Sequence, residues 1–171
     1  LDRAGYLKEY RDCTWNDSLG KVFPFPGPVQ WHPDAWVGDH GAHFIEAVSS
    51  GEKPQFTWIS FSGPHYPFDA PQEYYGRVNQ DGLPSCRRRE GELEDAARIH
   101  HDSYFGGGHI DGCGTAPGHA CRNYTEDYWK RLQISYYANI ALIDDEVGKI
   151  LEAVKKRYGE NALVIFTADH G

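Results

Sequence analysis

The apolar positions of the chain fall into strand-like runs and helical stripes. Leu163 to Phe166 is a short continuous run rich in β-branched and aromatic residues, the composition of a strand buried on both faces in a parallel sheet. Phe56 to Ser62, led in by Pro54, predicts a second strand. Between them, Trp129, Leu132, Tyr136, Ile140, Ile143, Val147, Ile150 and Val154 recur at helical spacing. Thr125 suits the N-cap of that helix, Glu126 and Asp127 its first turn, Lys155 to Arg157 its last, and Gly159 its stop. Asp145 with Lys149 and Glu152 with Lys156 have the spacing of favourable four-residue charge pairs. A further helix starts at Pro33, aligns Trp36, Val37, His40, Phe44, Ala47 and Val48 on one face, and ends near Ser49. Pro71 to Val78 is long enough for two helical turns.

Elsewhere the pattern is lost. Residues 1–31 are rich in glycine, proline and aromatics, and Phe23 to Pro28 blocks both a helix and a central strand. Residues 79–124 read as an insertion, partly helical around Glu92 to His100, because a structureless loop of that length is unusual inside a domain. Helix, turn and the strand of residues 162–167 form half of a βαβ unit. The predicted fold class is therefore α/β, a mostly parallel or mixed β-sheet flanked by helices.

Composition narrows the partners. A length of 171 residues with 40% apolar content supports one domain with a core, and a formal charge of −8 argues against nucleic acid or an anionic membrane as partner. No apolar run is long enough to span a bilayer. Both ends read as cut, so the expectation is a fragment of one catalytic domain over residues 1–171, and the localisation stays open.

Candidate chemistry sits at the ends of the predicted strands. Asp169 and His170 follow the 162–167 strand, where open α/β sheets place their sites, and a carboxylate beside an imidazole can ligate a divalent cation. His65, within Gly63-Pro64-His65-Tyr66-Pro67, follows the other strand on stiff backbone. A second Asp-His-Gly, at Asp39-His40-Gly41, lies inside a helical pattern and is not expected to be a site. Asp144 borders the apolar stripe and reads as a buried, hydrogen-bonded anchor, and Tyr136 with Tyr137 as core. A rival reading is a structural metal-binding module built from His100, His101, His109, Cys113, His119 and Cys121. Their spacing is not that of a standard finger, and a Cys113–Cys121 disulfide or plain loop residues are equally open.

Three stretches together resemble the sulfatase family of the alkaline phosphatase superfamily: Trp36 to Ile45; Phe56 to Pro71; and Tyr136-Tyr137-Ala138 through Asp144 to Gly148, Ile150-Leu151 and Val164 to Gly171. The resemblance implies an alkaline-phosphatase-like α/β fold, here incomplete, and hydrolysis of a small-molecule or carbohydrate sulfate ester. The alternative it implies is a phosphonate monoester or phosphodiester hydrolase. His65 is then similar to the histidine that contacts the sulfate and serves the leaving group, and Asp169 and His170 to two metal ligands. Family members often carry asparagine at the second position and bind calcium; the imidazole of His170 shifts the expectation towards manganese or zinc. The family's formylglycine arises in Cys/Ser-x-Pro/Ala-x-Arg, which none of Cys13, Cys86, Cys113 and Cys121 begins. That group and the nucleophile are expected outside this chain, and the chain alone is expected to be inactive.

Overall fold

The computed structural model describes residues 5–14, 22–48, 53–85, 87, 89–105 and 120–170. Among these described residues five α-helices follow in order: α1 (Tyr6–Thr14), α2 (Pro33–Ala47), α3 (Gln72–Tyr75), α4 (Arg98–Phe105) and α5 (Glu126–Tyr158). Short 3-10 turns lie at Val29–Trp31, Gln80–Gly82 and Cys121–Asn123. Among the described residues no helix is long and apolar enough to cross a membrane.

The axis of the fold is α5, 33 residues long, with α2 packed along it. It starts where the N-cap chemistry predicts: Thr125 Oγ1 accepts the Tyr128 N–H at 3.1 Å, satisfying a donor the helix leaves open. It stops at Gly159, whose φ of 57° a side chain would resist. Its buried face, however, is not the large apolar stripe. Ser135, Ala138, Asn139, Leu142, Glu146 and Ala153 are buried, whereas Ile140 and Tyr137 are exposed. The missing side chain of Gly38 on α2 lets the α2 backbone come close to this face. A Cβ on Gly38 of α2 would lie 2.3 Å from Glu146 Oε2 and 2.5 Å from Glu146 Cβ. The expected buried carboxylate Asp144 is exposed, and its neighbour Glu146 takes the interior.

The predicted charge pairs within α5 give way to tertiary ones. Asp145 binds Arg77 through both carboxylate oxygens and also accepts the Tyr74 hydroxyl at 3.0 Å, fixing α3 to α5. Lys149 bridges Asp39 on α2 and Glu146, each at 2.8 Å, and Lys156 reaches Glu46 at 2.7 Å. Ala35, Ala70, Tyr74, Ala138 and Leu142 close the core between these elements.

The α/β expectation is overturned, and with it the alkaline-phosphatase-like architecture that the resemblance implies. Among the described residues there is no β-strand, only isolated parallel bridges pairing Val22 with Phe68 and Phe25 with Pro71. The proline-rich approach segment supplies them: Phe23 and Phe25 donate their N–H groups to Phe68 and Ala70 at 3.1 Å, while Pro24 and Pro26 have none to donate. Residues 54–62 and 162–168 have no regular secondary structure. A strand exists through ladder hydrogen bonds to a neighbour, and among the described residues these segments have none. Most of their apolar side chains stand in solvent, Leu163 being 88% and Phe56 87% exposed, while Ile59 and Phe61 are half-buried.

Candidate functional site

A cleft of about 320 Å³ opens where the end of residues 54–62, the start of α2 and the chain end meet. Among the described residues its polar lining comprises Tyr10, His32, Asp34, Ser62, His65, Tyr66, Asp69, Asn139 and Asp169, with no lysine or arginine.

The floor is a buried imidazole held from both sides. His32 is the N-cap of α2, and its Nδ1 accepts the backbone N–H of Asp34 at 3.2 Å. That leaves the proton on Nε2, which donates to Asp69 Oδ1 at 3.4 Å. Asp69 Oδ2 accepts the Tyr10 hydroxyl at 2.9 Å, so α1, the α2 cap and the 68–71 segment are joined at one carboxylate.

Asp34, in the first turn of α2, fixes the rim. Its Oδ1 accepts the N–H groups of Ser62 and Gly63 at 3.0 and 3.2 Å and the Ser62 hydroxyl at 3.3 Å. A Cβ on Gly63 would lie 2.5 Å from Asp34 Oδ2, so only glycine allows this approach. Negative charge at a helix N-terminus is favourable, which suits Asp34 to its place.

Next on the rim comes His65, between Pro64 and Pro67, both of which follow cis peptide bonds. Its Nδ1 donates to the Tyr66 carbonyl at 2.7 Å, and among the described residues nothing hydrogen-bonds to Nε2. In the neutral ring Nε2 therefore carries the free lone pair. Asp169 lines the same cleft and is 90% exposed, its Oδ1 accepting the His170 N–H at 3.0 Å. His65 and Asp169, predicted from separate stretches, thus share one rim. His170 is not among the lining residues.

The structure brings in residues that the motif reading did not single out. His32 and Asp34 carry a sequence signal, a histidine and an aspartate flanking a helix-starting proline. Asn139 carries a weaker one, an amide one helical turn from both Ser135 and Ile143 on α5. Asp39-His40 lies in α2 as expected: His40 Nδ1 donates to the Trp36 carbonyl at 2.9 Å, and Asp39 holds Lys149.

Among the described residues, the side chains expected to ligate a metal number two. Asp169 and His170 offer two ligand side chains, and His170 Nε2 lies 3.6 Å from Asp169 Oδ2, on an exposed turn. Catalytic metal sites hold the ion with three or more protein ligands, and among the described residues no group of three or more His, Cys, Asp or Glu is placed to do so. His109, Cys113 and His119 of the rival module, and with them the Cys113–Cys121 pairing, lie outside the described residues.

The expectation of a metal-dependent hydrolase of sulfate, phosphonate or phosphodiester esters is therefore overturned. The described residues carry neither a sheet to hold such a site nor a metal cluster to run it. The reading as a structural metal module likewise finds no cluster among them.

Known proteins set this chain in context. It is 22% identical to the uncharacterized sulfatase YidJ of Escherichia coli, with all of this chain and 33% of that protein covered. It is 30% identical to an arylsulfatase of Klebsiella aerogenes, over 70% of this chain and 26% of that protein. It is 24% identical to the iduronate 2-sulfatase of Mus musculus, over 81% of this chain and 25% of that protein. The chain therefore spans between a quarter and a third of the length of these curated relatives. A sequence model of the Sulfatase family matches residues 6–171, and with nearly the whole chain inside that match, it belongs to the sulfatase family.

Proposed function

We propose that this chain forms a binding wall for a small polar molecule, with His65 as the ligand contact and proton acceptor. The observation that carries this reading is the commitment of His65 Nδ1 to the Tyr66 carbonyl, which turns Nε2 into the ring's free acceptor on a rim shared with Asp169. The other polar groups support binding through rigidity. Asp34 and Asp69 already accept hydrogen bonds from the chain itself, so the cleft is shaped before a ligand arrives. Asp169 and His170 are proposed as two donors towards a divalent cation, calcium or manganese or zinc; no step is assigned to it, because the described residues supply no third donor.

The test is to follow the imidazole nitrogens of the full chain by NMR while adding methyl α-glucoside in one series and inorganic sulfate in another. His65 should respond saturably to one of them. His40 and His43, whose Nδ1 atoms are tied to α2 carbonyls at 2.9 and 2.7 Å, serve as internal references. A His65 that responds to neither probe, or no more than His40 and His43, would remove the basis of the reading.

A further inference from the structure

His32 is a buried imidazole with a carboxylate within reach of each ring nitrogen. Nε2 faces Asp69 Oδ1 at 3.4 Å, and Nδ1, which accepts the Asp34 N–H at 3.2 Å, lies 3.9 Å from Asp34 Oδ2. An imidazole gains and loses a proton near neutrality, and the two forms differ here at Nδ1: the neutral ring offers a lone pair, the charged ring an N–H. The cap bond from the Asp34 N–H belongs to the neutral form alone. The charged form turns to the Asp34 carboxylate instead. A charged N–H to carboxylate bond spans about 2.8 Å, so closing the present 3.9 Å moves the carboxylate by about 1 Å.

The same carboxylate holds the backbone that leads into His65. Its Oδ1 accepts the N–H groups of Ser62 and Gly63 and the Ser62 hydroxyl, and Oδ2 sits so close to Gly63 that a Cβ there would be 2.5 Å from it. An Asp34 that turns to His32 therefore loosens its hold two residues before His65. The titratable groups facing His32 come from several elements: Asp34 on its own helix, Asp69 from the 68–71 segment, Tyr10 of α1 through Asp69, and Tyr75 of α3, whose hydroxyl feels the Asp69 charge. His65, Tyr66 and Asp169 line the same cleft, and among the described residues no lysine or arginine does. Asp69 keeps its bond from Nε2 in both forms, so the change is confined to Nδ1 and Asp34.

We infer that His32 is a proton-operated switch beneath the His65 rim, acting through Asp34 as the positioning residue. Neutral, it caps α2 and leaves the Asp34 carboxylate to hold the Ser62–Gly63 backbone. Protonated, it draws that carboxylate to itself and releases the backbone, and His65 with it. This names the regulation of the site and rests on the proposed role of His65 as the ligand contact.

The experiment uses the full chain, with NMR of the His32 ring nitrogens and hydrogen exchange of the Ser62 and Gly63 amides, both followed from about pH 8 to about pH 5. Protection of the two amides, corrected for the intrinsic exchange rate at each pH, is expected to fall about tenfold, the loss typical of one hydrogen bond to a charged group. The fall should run in step with the proton appearing on His32 Nδ1. In His32→Gln, whose side chain keeps an acceptor for the Asp34 N–H and takes up no proton, the same protection should stay level. A fall that persists in this variant overturns the inference, because it would come from the carboxylates alone. Should His32→Gln fail to fold, the parent curves decide: amide protection that changes at a different pH from the His32 ring, or a ring that takes no second proton in this range, overturns it. In each of these cases the cleft reading stands if His65 answers methyl α-glucoside or sulfate. Silence of His65 towards both probes removes the cleft reading, and with it the claim that this switch regulates a site.

Discussion

Gly38 and Glu146 decide how near α2 can come to α5. A methyl group on Gly38 meets not only the carboxylate tip of Glu146 but also its Cβ, at 2.5 Å, which cannot swing away. Gly38→Ala is therefore expected to cost about 1–3 kcal/mol, the usual range for overpacking a tight interface, read as a lowered melting temperature. A variant as stable as the parent would show that the helices can part freely. Glu146 adds a pH dependence. Burial pushes its carboxyl above the ordinary 4.5, and the nearby Lys149 ammonium only partly opposes this. An acid whose folded value is raised contributes stability that is fully present below its unfolded value and is lost as pH rises through the folded one. Glu146→Gln should therefore flatten the fall in stability as pH rises above 4.5, measured by urea unfolding at each pH. Asp145 works in the opposite sense: Arg77 holds it below the usual range, so its contribution fades in acid and confines the Glu146 effect to the window above. Identical pH profiles for the parent and Glu146→Gln would refute the assignment.

Among the elements, the two long helices were legible because their signals are local. Pro33 opens α2, and Thr125 and Gly159 bound α5, through capping chemistry that needs no knowledge of what lies alongside. Thr125→Ala should cost about 1 kcal/mol and fray the first turn around Tyr128, seen as faster amide exchange there; an unchanged exchange rate would mean that packing alone sets the helix start. Which face of α5 is buried was not legible in the same way. Hydropathy favours the stripe through Ile140, but the buried face is the one that carries Ala138, Leu142 and Glu146, and at Glu146 the approach depends on Gly38, more than a hundred residues away in sequence. The charge pairs failed for the same reason. Arg77 and Asp39, brought in by the fold, compete with partners one turn along the helix and win. His65 and Asp169 stand out in the sequence because each follows an apolar run; His32 and Asp69, which line the same cleft, belong to a network visible only once α1, α2 and the 68–71 segment are assembled.

At the level of the whole molecule, the strand readings failed because composition describes what a segment is suited to, while a strand requires a neighbour to pair with. The same failure makes a measurable property. Phe56, Trp58, Leu163, Ile165 and Phe166 are each more than two-thirds exposed, from 73% for Trp58 to 88% for Leu163. Apolar surface gathered on segments with no backbone pairing is the usual starting point for association. The chain as it stands should therefore self-associate with rising concentration, as seen by sedimentation velocity across the micromolar range. Ile165→Lys should shift this towards monomer, since a charge on an exposed, unpaired segment blocks further pairing. Because the Ile165 side chain is 77% exposed, the substitution should leave the helical circular dichroism signal and the melting temperature nearly unchanged, within about 0.5 kcal/mol. A chain that stays monomeric throughout, or an Ile165→Lys variant that loses its helices, would show instead that residues 163–166 are packed against the body of the fold and that their exposure is not a property of the molecule.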